Sequence, residues 1–189
     1  MQPANTTNFR CGILTISSTH DAETDKSSVV AHDALTTAGH EVVQQRWLVD
    51  DLSNIRHVFR EWVDSAELDV IVSIGGTGLR STDVTPEALA PLITKPMPGF
   101  GEIFRMLAFY EVGVAAIESR ACAAVCQRTL FYVLPGGPQV VSMALARLII
   151  PQLSTLAWAG HQRPTVAPPN HPSAPNEMPT LRYAVSGAR

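Results

Sequence analysis

Short, continuously apolar segments alternate with helical patterns along most of the chain, and this alternation is the strongest constraint on its fold. Strands that are apolar on both faces are typical of a parallel sheet with helices on each side. The sequence therefore predicts a three-layer α/β/α, Rossmann-like domain with a mostly parallel central sheet and a ligand site beyond the carboxyl ends of its strands. The predicted strands are CGILTIS from Cys11, EVVQQRWLV from Glu41, DVIVSI from Asp69 and TLFYVL from Thr129.

Between these strands, apolar residues recur at helical spacing and predict the inner faces of two helices. The faces are Val29, Val30, Ala34, Leu35 and Ala38 for the first helix, and Ile55, Val58, Phe59, Trp62 and Val63 for the second.

Three later segments are less regular. FGEIFRMLAFY predicts a helix with Ile103, Leu107 and Tyr110 on one face, and its surplus of apolar residues suggests contact with another subunit. The periodicity of VAAIESRACAAVC fits a strand pair or a helix and does not choose between them. The last helix is expected to begin near Pro138 and to kink or stop at Ile150, because the proline that follows has no backbone N–H.

Composition and charge limit the class of protein. The 189 residues carry a net charge of −3 and a pI near 6.0, so no nucleic acid and no membrane is an expected partner. The opening MQPANTTNFR lacks the pattern of a signal peptide, and the apolar run ALARLIIPQL is too short to span a bilayer. Three cysteines without zinc-site spacing indicate a reducing, cytoplasmic location.

The chain divides by composition into three parts. Residues 1–9 form an N-terminal extension, residues 10–160 form one folded domain, and residues 161–189 form a proline-rich tail to which no chemistry is assigned. The six histidines do not form a metal-ligand motif, and we interpret His20 in the first loop as a surface residue.

The stretch SIGGTGLRSTDVTPEAL places three glycines in four residues directly after the third predicted strand. Glycine adopts positive φ and lets peptide N–H groups approach an anion, so a phosphate or carboxylate is the natural ligand of this loop. A helix start is predicted at Thr85, Pro86 and Glu87, with Thr85 as the N-cap. The positive end of this helix would face the same ligand. The alternative is an ordinary tight turn between a strand and a capped helix.

Acidic residues lie where the second strand ends and within the glycine loop. The carboxylate of Asp83 would repel a phosphate bound in this loop unless a divalent cation lies between the carboxylate and the phosphate. Asp50 is expected to open into the same crevice. Either Asp50 or Asp51 would alternatively cap the next helix. The loop after the first strand, which is either a ligand contact or a solvated and capped turn, contains Asp25, Lys26 and Ser27.

Four motifs occur in order along the chain: GGTG followed by Asp-Val-Thr-Pro-Glu, then MPGFGEIFR, Ser119-Arg120 and LPGGP. Together they resemble the MogA/MoaB family of molybdenum-cofactor biosynthesis proteins, from about Cys11 to Ala159, and most closely its bacterial MoaB branch. The resemblance implies an α/β/α domain that assembles as a homotrimer or homohexamer. It also implies a Mg²⁺-dependent adenylyltransferase that converts molybdopterin and ATP into adenylyl-molybdopterin and diphosphate.

The resemblance also implies roles for individual residues. Asp50 and Asp83 would be the catalytic acids that hold or orient Mg²⁺, the glycine loop would hold phosphate, and the MPGFGE stretch would shape the pterin side. The residues implied to bind molybdopterin or ATP are Ser17, Asp25, Ser27, Gly75, Gly76, Thr77, Gly78, Thr82, Pro98, Gly99, Phe100, Gly101, Glu102, Ser119, Arg120, Pro135, Gly136 and Gly137.

Three of these residues have an equally good structural role. Glu102 would begin the next helix, where an acid suits the positive end of the helix dipole. Ser119 would pair with backbone groups, and Arg120 would form an ion pair with an acid such as Glu118.

Two departures from the family pattern leave the activity open. Ser28 stands where the family usually has a glycine, and the arginine that often adjoins the second acid has its counterpart here in Arg80, at a different spacing. The first alternative is therefore a non-catalytic molybdopterin-binding or scaffold protein of the same pathway. The second is a flavodoxin-like FMN carrier, whose phosphate would occupy the hydroxyl-rich first loop.

Overall fold

The computed structural model describes residues 8–18 and 25–158, and a six-stranded sheet forms its centre. The strands are β1 (Arg10–Ile16), β2 (Glu41–Leu48), β3 (Val70–Ile74), β4 (Lys95–Pro96), β5 (Cys122–Cys126) and β6 (Thr129–Leu134). Their order in the sheet is β2-β1-β3-β6-β5-β4. The first four of these run parallel, whereas β5 pairs antiparallel with β6 and β4 pairs antiparallel with β5. The prediction of a mostly parallel sheet is confirmed.

Helices cover both faces of this sheet. Within the described residues they are α1 (Lys26–Thr37), α2 (Leu52–Ser65), α3 (Thr85–Leu89), α4 (Pro98–Val112), α5 (Pro138–Ala144) and α6 (Ile150–Trp158). Two 3-10 turns, Ala90–Leu92 and Gly113–Glu118, follow α3 and α4, and a π turn, Leu145–Ile149, joins α5 to α6. Because α1, α4 and α5 pack on one face and α2 and α3 on the other, the predicted three-layer architecture is confirmed.

Each central strand contributes to two hydrophobic cores, because successive side chains on a strand point to opposite faces. In β3, Val70 and Val72 belong to the core beneath α1, α4 and α5, whereas Ile71 belongs to the core beneath α2. This double burial explains why these strands are apolar throughout rather than alternating in polarity.

The predicted inner face of α2 is confirmed, since all five of its apolar residues are buried. The predicted face of α1 is wrong at Val29, which is 54 % exposed. The buried residues of α1 are instead Ser27, Ser28, Ala31 and Leu35. The two serines lie inside because they meet polar partners there, as the site geometry below shows.

The predicted face of α4 is also wrong in part. Phe100 and Phe104 are buried and Leu107 packs against the core, but Ile103 and Tyr110 are 47 % and 81 % exposed. The apolar residues of this helix lie on all of its sides. Their spacing therefore does not distinguish the face that meets the sheet from the face that meets solvent.

The segment VAAIESRACAAVC and the last helix differ in part from their predictions. VAAIESRACAAVC contains both alternatives in part, because a 3-10 turn is followed by the single strand β5. Of the predicted kink or stop at Ile150, the stop is wrong, because the chain stays helical past Pro151 to Trp158. The π turn directly before the proline has a wider hydrogen-bond pattern, which accommodates the missing N–H.

The strand order creates a topological switch point beside β1, which lies between β2 and β3. The loop that leaves β1 leads toward one edge of the sheet, and the loop that leaves β3 leads toward the other. The crevice between such diverging loops, at the carboxyl ends of the strands, is where open α/β sheets bind ligands.

The three cysteines are free, as predicted. Burial raises the pKa of Cys11 and of Cys126 to about 12 and that of Cys122 to about 11, so each thiol stays protonated. The cytoplasmic location inferred from them stays a prediction. No helix in the described part of the chain has the length and apolar character to cross a membrane. His20, residues 161–189 and most of the N-terminal extension lie outside the described residues.

Candidate functional site

An open cavity of about 1210 Å³ lies at the switch point, beyond the carboxyl ends of β1, β3 and β6. Its polar side consists of the loops that follow these strands together with the end of β2, and its apolar side comes from α4 and the 3-10 turn after it. The predicted site residues that line it are Ser17, Asp25, Ser27, Asp50, Gly75, Gly76, Thr77, Gly78, Thr82, Asp83, Ser119, Pro135, Gly136 and Gly137.

The glycine loop turns the chain sharply where β3 ends. Gly75 and Gly76 have φ angles of +106° and +63°, a region that favours glycine. A Cβ on Gly75 would lie 2.0 Å from the backbone oxygen of Ile16, so no side chain fits there. The prediction that this loop uses positive φ is therefore confirmed.

Thr85 closes the loop and does not cap α3. Its hydroxyl donates to the Gly75 carbonyl at 2.9 Å, and its N–H donates to the Gly76 carbonyl at 3.1 Å. Val84 occupies the N-cap position without a side-chain hydrogen bond, so the predicted Thr85 cap is wrong. The hydroxyl is drawn back to the end of β3 and is not available to the first amides of α3.

Three consecutive backbone amides of this loop are unpaired in the described part of the chain. The N–H of Gly75 donates to the carbonyl of Leu134 at 2.8 Å. The next three N–H groups, those of Gly76, Thr77 and Gly78, have no acceptor within residues 8–18 and 25–158. All three residues line the cavity. A run of unpaired N–H groups beside a cavity is suited to an anion such as phosphate.

The two adjacent acids after β2 have separate roles. Asp51 caps α2, because its carboxylate accepts the N–H of Asn54 at 2.8 Å. Asp50 faces the cavity, where its Oδ2 accepts the Ser18 hydroxyl at 2.6 Å. Its Oδ1 lies 3.2 Å from the position that a Cβ on Gly76 would occupy, and so stands beside the unpaired amides. The expectation that one acid caps the helix and the other opens into the crevice is confirmed.

Asp83 is buried and approaches the same loop at Gly78, where a Cβ would lie 2.6 Å from its Oδ2. Arg80 donates to this carboxylate from its backbone N–H at 2.9 Å and from Nε and Nη2 at 3.3 Å each. The hydrogen bonds and charge of Asp83, with a smaller effect of Asp50, raise the pKa of Arg80. Arg80 therefore reaches the second acid in spite of its altered spacing.

Asp25 lines the cavity, but its carboxylate is already saturated. Oδ1 accepts the N–H groups of Ser27 at 2.8 Å and Ser28 at 3.2 Å, while Oδ2 accepts the Thr15 hydroxyl at 2.7 Å and the Trp47 indole N–H at 3.2 Å. Burial alone would raise the pKa of Asp25, but hydrogen bonds from Thr15, Ser28 and Ser27 hold it below its ordinary value. Four donors fill the usual acceptor capacity of a carboxylate, so Asp25 acts as the cap of α1.

The two serines after Asp25 connect α1 to the rest of the site. The Ser27 hydroxyl donates to the carbonyl of Gly136 at 2.6 Å, which joins the loop before α1 to the loop before α5. Ser28 lies in the first turn of α1, and the positive-φ residues of the described chain do not include it. The replacement of the family's glycine by Ser28 therefore introduces no backbone strain.

The MPGFGE stretch lies outside the cavity. α4 begins at Pro98, Phe100 is buried in the core, and a Cβ on Gly101 would lie 2.7 Å from the carbonyl oxygen of Ala121. These residues therefore pack α4 against the chain, and the exposed Glu102 is past the helix start. The predicted ligand contacts that find no support among the lining residues are those of Pro98, Gly99, Phe100, Gly101, Glu102 and Arg120.

Ser119 and Arg120 are adjacent but differ in position. Ser119 lines the cavity, and its hydroxyl oxygen accepts the N–H of Ala121 at 3.3 Å. Arg120 lies in a shallow depression behind the glycine loop, where it forms an ion pair with Glu87. The ion-pair alternative for Arg120 is therefore confirmed in kind, but its partner is Glu87 and not Glu118.

Sequence reasoning missed the apolar wall of the cavity. Phe104, Ala108 and Val112 of α4 line it at four-residue spacing, and Ala115 and Ala116 continue the wall in the 3-10 turn. The spacing was a usable signal, but the other apolar residues of α4 obscured it. The remaining lining residues not predicted as site residues are Thr15, Ile16, Ser18, Lys26, Ile74, Leu79, Arg80, Glu118, Pro138 and Val140.

Residues 12–155 match the protein family described as "Probable molybdopterin binding domain". The chain belongs to this family. The matched range contains the glycine loop and both cavity acids, Asp50 and Asp83. The family match gives no support to the alternative of an FMN carrier.

Individual members of the family are similar over most of their length. The chain is 43 % identical over 145 residues to molybdenum cofactor biosynthesis protein B of Halalkalibacterium halodurans, covering 76 % of this chain and 85 % of that protein. The protein of the same name from Escherichia coli strain K12 is 39 % identical over 144 residues, with the same coverage of 76 % and 85 %. A crystal structure of molybdenum cofactor biosynthesis protein B aligns with a TM-score of 0.77 at 36 % identity, covering 82 % of this chain and 96 % of that one. The resemblance to the MogA/MoaB family is confirmed.

The four hydrogen bonds that the Asp25 carboxylate accepts predict a pH-dependent loss of stability in Asp25→Asn, because an amide can still cap α1 but cannot accept from Thr15 and Trp47 as well. The amide group turns a donor toward groups that are themselves donors, so we expect about 2 kcal/mol less free energy of unfolding at pH 7. Because the folded pKa is lowered, the wild-type carboxylate stabilises the fold above its unfolded pKa, and this contribution is lost as pH falls through the folded pKa. The difference between the two proteins should therefore shrink below about pH 4.

Urea unfolding at neutral and acidic pH measures this difference. Asp33→Asn on the same helix is the matched control, since the Asp33 side chain is 72 % exposed and its loss should change stability by less than about 0.5 kcal/mol. Equal stability of wild type and Asp25→Asn at pH 7 would contradict the inferred contribution of the bonds from Thr15 and Trp47.

Proposed function

We propose that the chain acts in molybdenum cofactor biosynthesis and adenylylates molybdopterin with ATP, releasing diphosphate. The observation that carries the proposal is that Asp50 and Asp83 approach one glycine loop whose amides at Gly76, Thr77 and Gly78 have no partner among the described residues. The domain family and the names of the relatives support the pathway and the pterin substrate.

The cavity offers two chemically different surfaces for two kinds of ligand group. The unpaired amides, with Lys26 and Arg80 at the rim, suit phosphate oxygens. The apolar wall, whose exposed members are Val112 and Ala115, suits a planar ring. Molybdopterin and ATP each carry both features, which is why we propose that they share this cavity.

The donor chemistry of the site fits Mg²⁺ bound together with substrate phosphates. Within the described residues no cluster of three or more Asp, Glu, His or Cys side chains could hold a metal ion. Mg²⁺ in nucleotide enzymes commonly uses one or two carboxylates and takes its other ligands from phosphates and water. Asp50 and Asp83 would supply the carboxylates, and Oδ1 of Asp50 accepts no hydrogen bond from the described chain.

In the proposed reaction, a phosphate oxygen of molybdopterin attacks the α-phosphorus of ATP while the bond from that phosphorus to diphosphate breaks. The attacking oxygen is already an anion, so no general base is required, and no described residue lining the cavity is a histidine. The protein's part is to hold the two substrates in line through the loop amides and to limit access of water through the apolar wall. Bound Mg²⁺ would supply charge neutralisation.

One observation favours the alternative of a non-catalytic molybdopterin-binding protein. Both carboxylate oxygens of Asp83 accept hydrogen bonds from Arg80, so the second acid already has a cationic partner. In the catalytic proposal this guanidinium must share Asp83 with the metal or move to a phosphate. Turnover distinguishes the two proposals.

The catalytic proposal predicts that Asp50→Asn and Asp83→Asn each lower turnover by about 100-fold or more, because each removes a carboxylate that holds Mg²⁺. Asp51→Asn is the matched control: it changes the adjacent acid, which caps α2, and asparagine is an equally good cap. Diphosphate release with molybdopterin, ATP and Mg²⁺ is the measurement.

Turnover that requires molybdopterin and is retained in Asp51→Asn supports the catalytic proposal. Tight molybdopterin binding by the wild type without diphosphate release would overturn it in favour of the binding protein.

We also propose that the protein assembles as a homotrimer or homohexamer through an apolar patch on α4 and the turn after it. Several exposed apolar side chains on one helix and the turn after it are typical of an interface between subunits. Val114 and Ile117 at its end are each 74 % exposed. The apolar patch comprises Ile103, Met106, Phe109, Tyr110, Val114 and Ile117.

This assembly predicts that Val114→Asp and Ile117→Asp dissociate the oligomer, because each buries a charge in an apolar interface. Val29→Asp is the control, since Val29 is 54 % exposed on α1, away from the patch. Sedimentation velocity should show the wild type and the control as trimer or hexamer and both patch variants near the 20.4 kDa monomer. A monomeric wild type, or patch variants that sediment with it as an oligomer, would show the proposal to be wrong.

A further inference from the structure

Arg120 contacts the glycine loop from outside the cavity. Its side chain is 32 % exposed, in the shallow depression behind the loop, and it is not among the described residues that line the cavity. Its guanidinium is therefore directed at the protein and not at the space that a ligand would occupy.

Three groups of Arg120 bind carbonyl oxygens of the loop. Its backbone N–H donates to Thr77 at 3.1 Å, its Nε donates to Gly78 at 2.9 Å, and its Nη2 donates to Asp83 at 2.5 Å. The remaining nitrogen, Nη1, pairs with Glu87 at the start of α3. One residue thus holds both ends of the turn that runs from Gly78 to Asp83.

These contacts determine where the loop amides point. In a trans peptide the carbonyl and the N–H of the next residue point in opposite directions. The bond to the Thr77 carbonyl therefore turns the N–H of Gly78 away from Arg120, and the bond to the Gly78 carbonyl does the same for Leu79. Both Gly78 and Leu79 line the cavity.

The same contacts hold the second acid. Between Gly78 and Asp83 the side chains of Leu79, Arg80 and Ser81 are exposed, so the turn itself buries little. Within the turn, the N–H of Asp83 donates to the Arg80 carbonyl at 3.0 Å, a local bond that does not tie the turn to the domain. The side chain of Arg120 supplies that link.

We propose that Arg120 is a positioning residue that holds the Asp83 carboxylate and the loop amides in their working arrangement, without touching either substrate. The part of this inference that concerns catalysis rests on the proposed adenylylation. The part that concerns the loop does not, since it depends only on hydrogen bonds within the protein.

The first test is amide hydrogen exchange of the full-length protein without substrates. We expect Arg120→Gln and Arg120→Lys to raise exchange at the hydrogen-bonded amides of Arg80 and Asp83 by about tenfold or more, while β3 and β6 keep wild-type rates. Lysine keeps the charge but has one nitrogen in place of the planar fork whose Nε, Nη1 and Nη2 reach Gly78, Glu87 and Asp83 separately. Glu87→Gln is the matched control, because it removes the ion pair and leaves both side-chain bonds to the loop carbonyls.

The second test is the kinetic signature of the same variants. A misplaced Asp83 should lower kcat by about 10- to 100-fold and shift Mg²⁺ activation, with the KM values for molybdopterin and ATP nearly unchanged. A rise in KM for one substrate with unchanged kcat would identify a direct ligand contact and overturn the proposal. So would wild-type exchange rates in both Arg120 variants, or an equal rise in Glu87→Gln. The exchange test uses no substrate, so it decides the role of Arg120 in the loop even if the wild type releases no diphosphate.

Discussion

The candidate site depends on the return of the chain to the end of β3, where Thr85 binds the carbonyls of Gly75 and Gly76. Since the carbonyl and the next N–H of a trans peptide point in opposite directions, these two bonds leave the N–H groups of Gly76 and Thr77 turned away from Thr85. Arg120 extends the same arrangement to the next two peptides. Buried polar contacts on one side of the loop thus produce unpaired donors on the other.

The negative charge that the cavity offers to a ligand depends on which carboxylates lack a full set of hydrogen-bond donors from the fold. Asp25 has four donors and Asp51 caps a helix, so neither is available to a ligand. Within the described residues, the Asp50 carboxylate accepts one hydrogen bond, from the Ser18 hydroxyl, and the Asp83 carboxylate accepts hydrogen bonds from Arg80 alone. Four acids in neighbouring loops therefore divide into two that hold the fold and two that remain for a cation or a charged substrate.

The sequence predicted the parts of this structure that follow from local patterns. The parallel sheet, the buried face of α2 and the cavity position of Asp50 all follow from apolar runs, helical spacing and the strand ends. The buried face of α4 could not be predicted, because this helix has apolar residues on all sides, including the exposed Ile103 and Tyr110, and only one side packs against the sheet.

The single-residue roles that the sequence predicted wrongly or left open have a common physical cause. The roles of Thr85, Asp25 and Arg120 depend on partners far along the chain, such as Gly75, Trp47 and Gly78. A motif indicates which residue types occur together but does not say whether a side chain turns toward a ligand or back toward the backbone. The motif alone therefore does not distinguish a polar residue that contacts a ligand from one that holds the loop.

The central claim is that the unpaired amides of the glycine loop bind phosphate between the two acids. The most direct measurement is a crystal structure of the protein with ATP and Mg²⁺ bound. The account predicts phosphate oxygens within about 3 Å of the nitrogens of Gly76, Thr77 and Gly78, with Asp50 and Asp83 on either side. Phosphates bound elsewhere in the cavity, with these three amides left without a ligand, would contradict it.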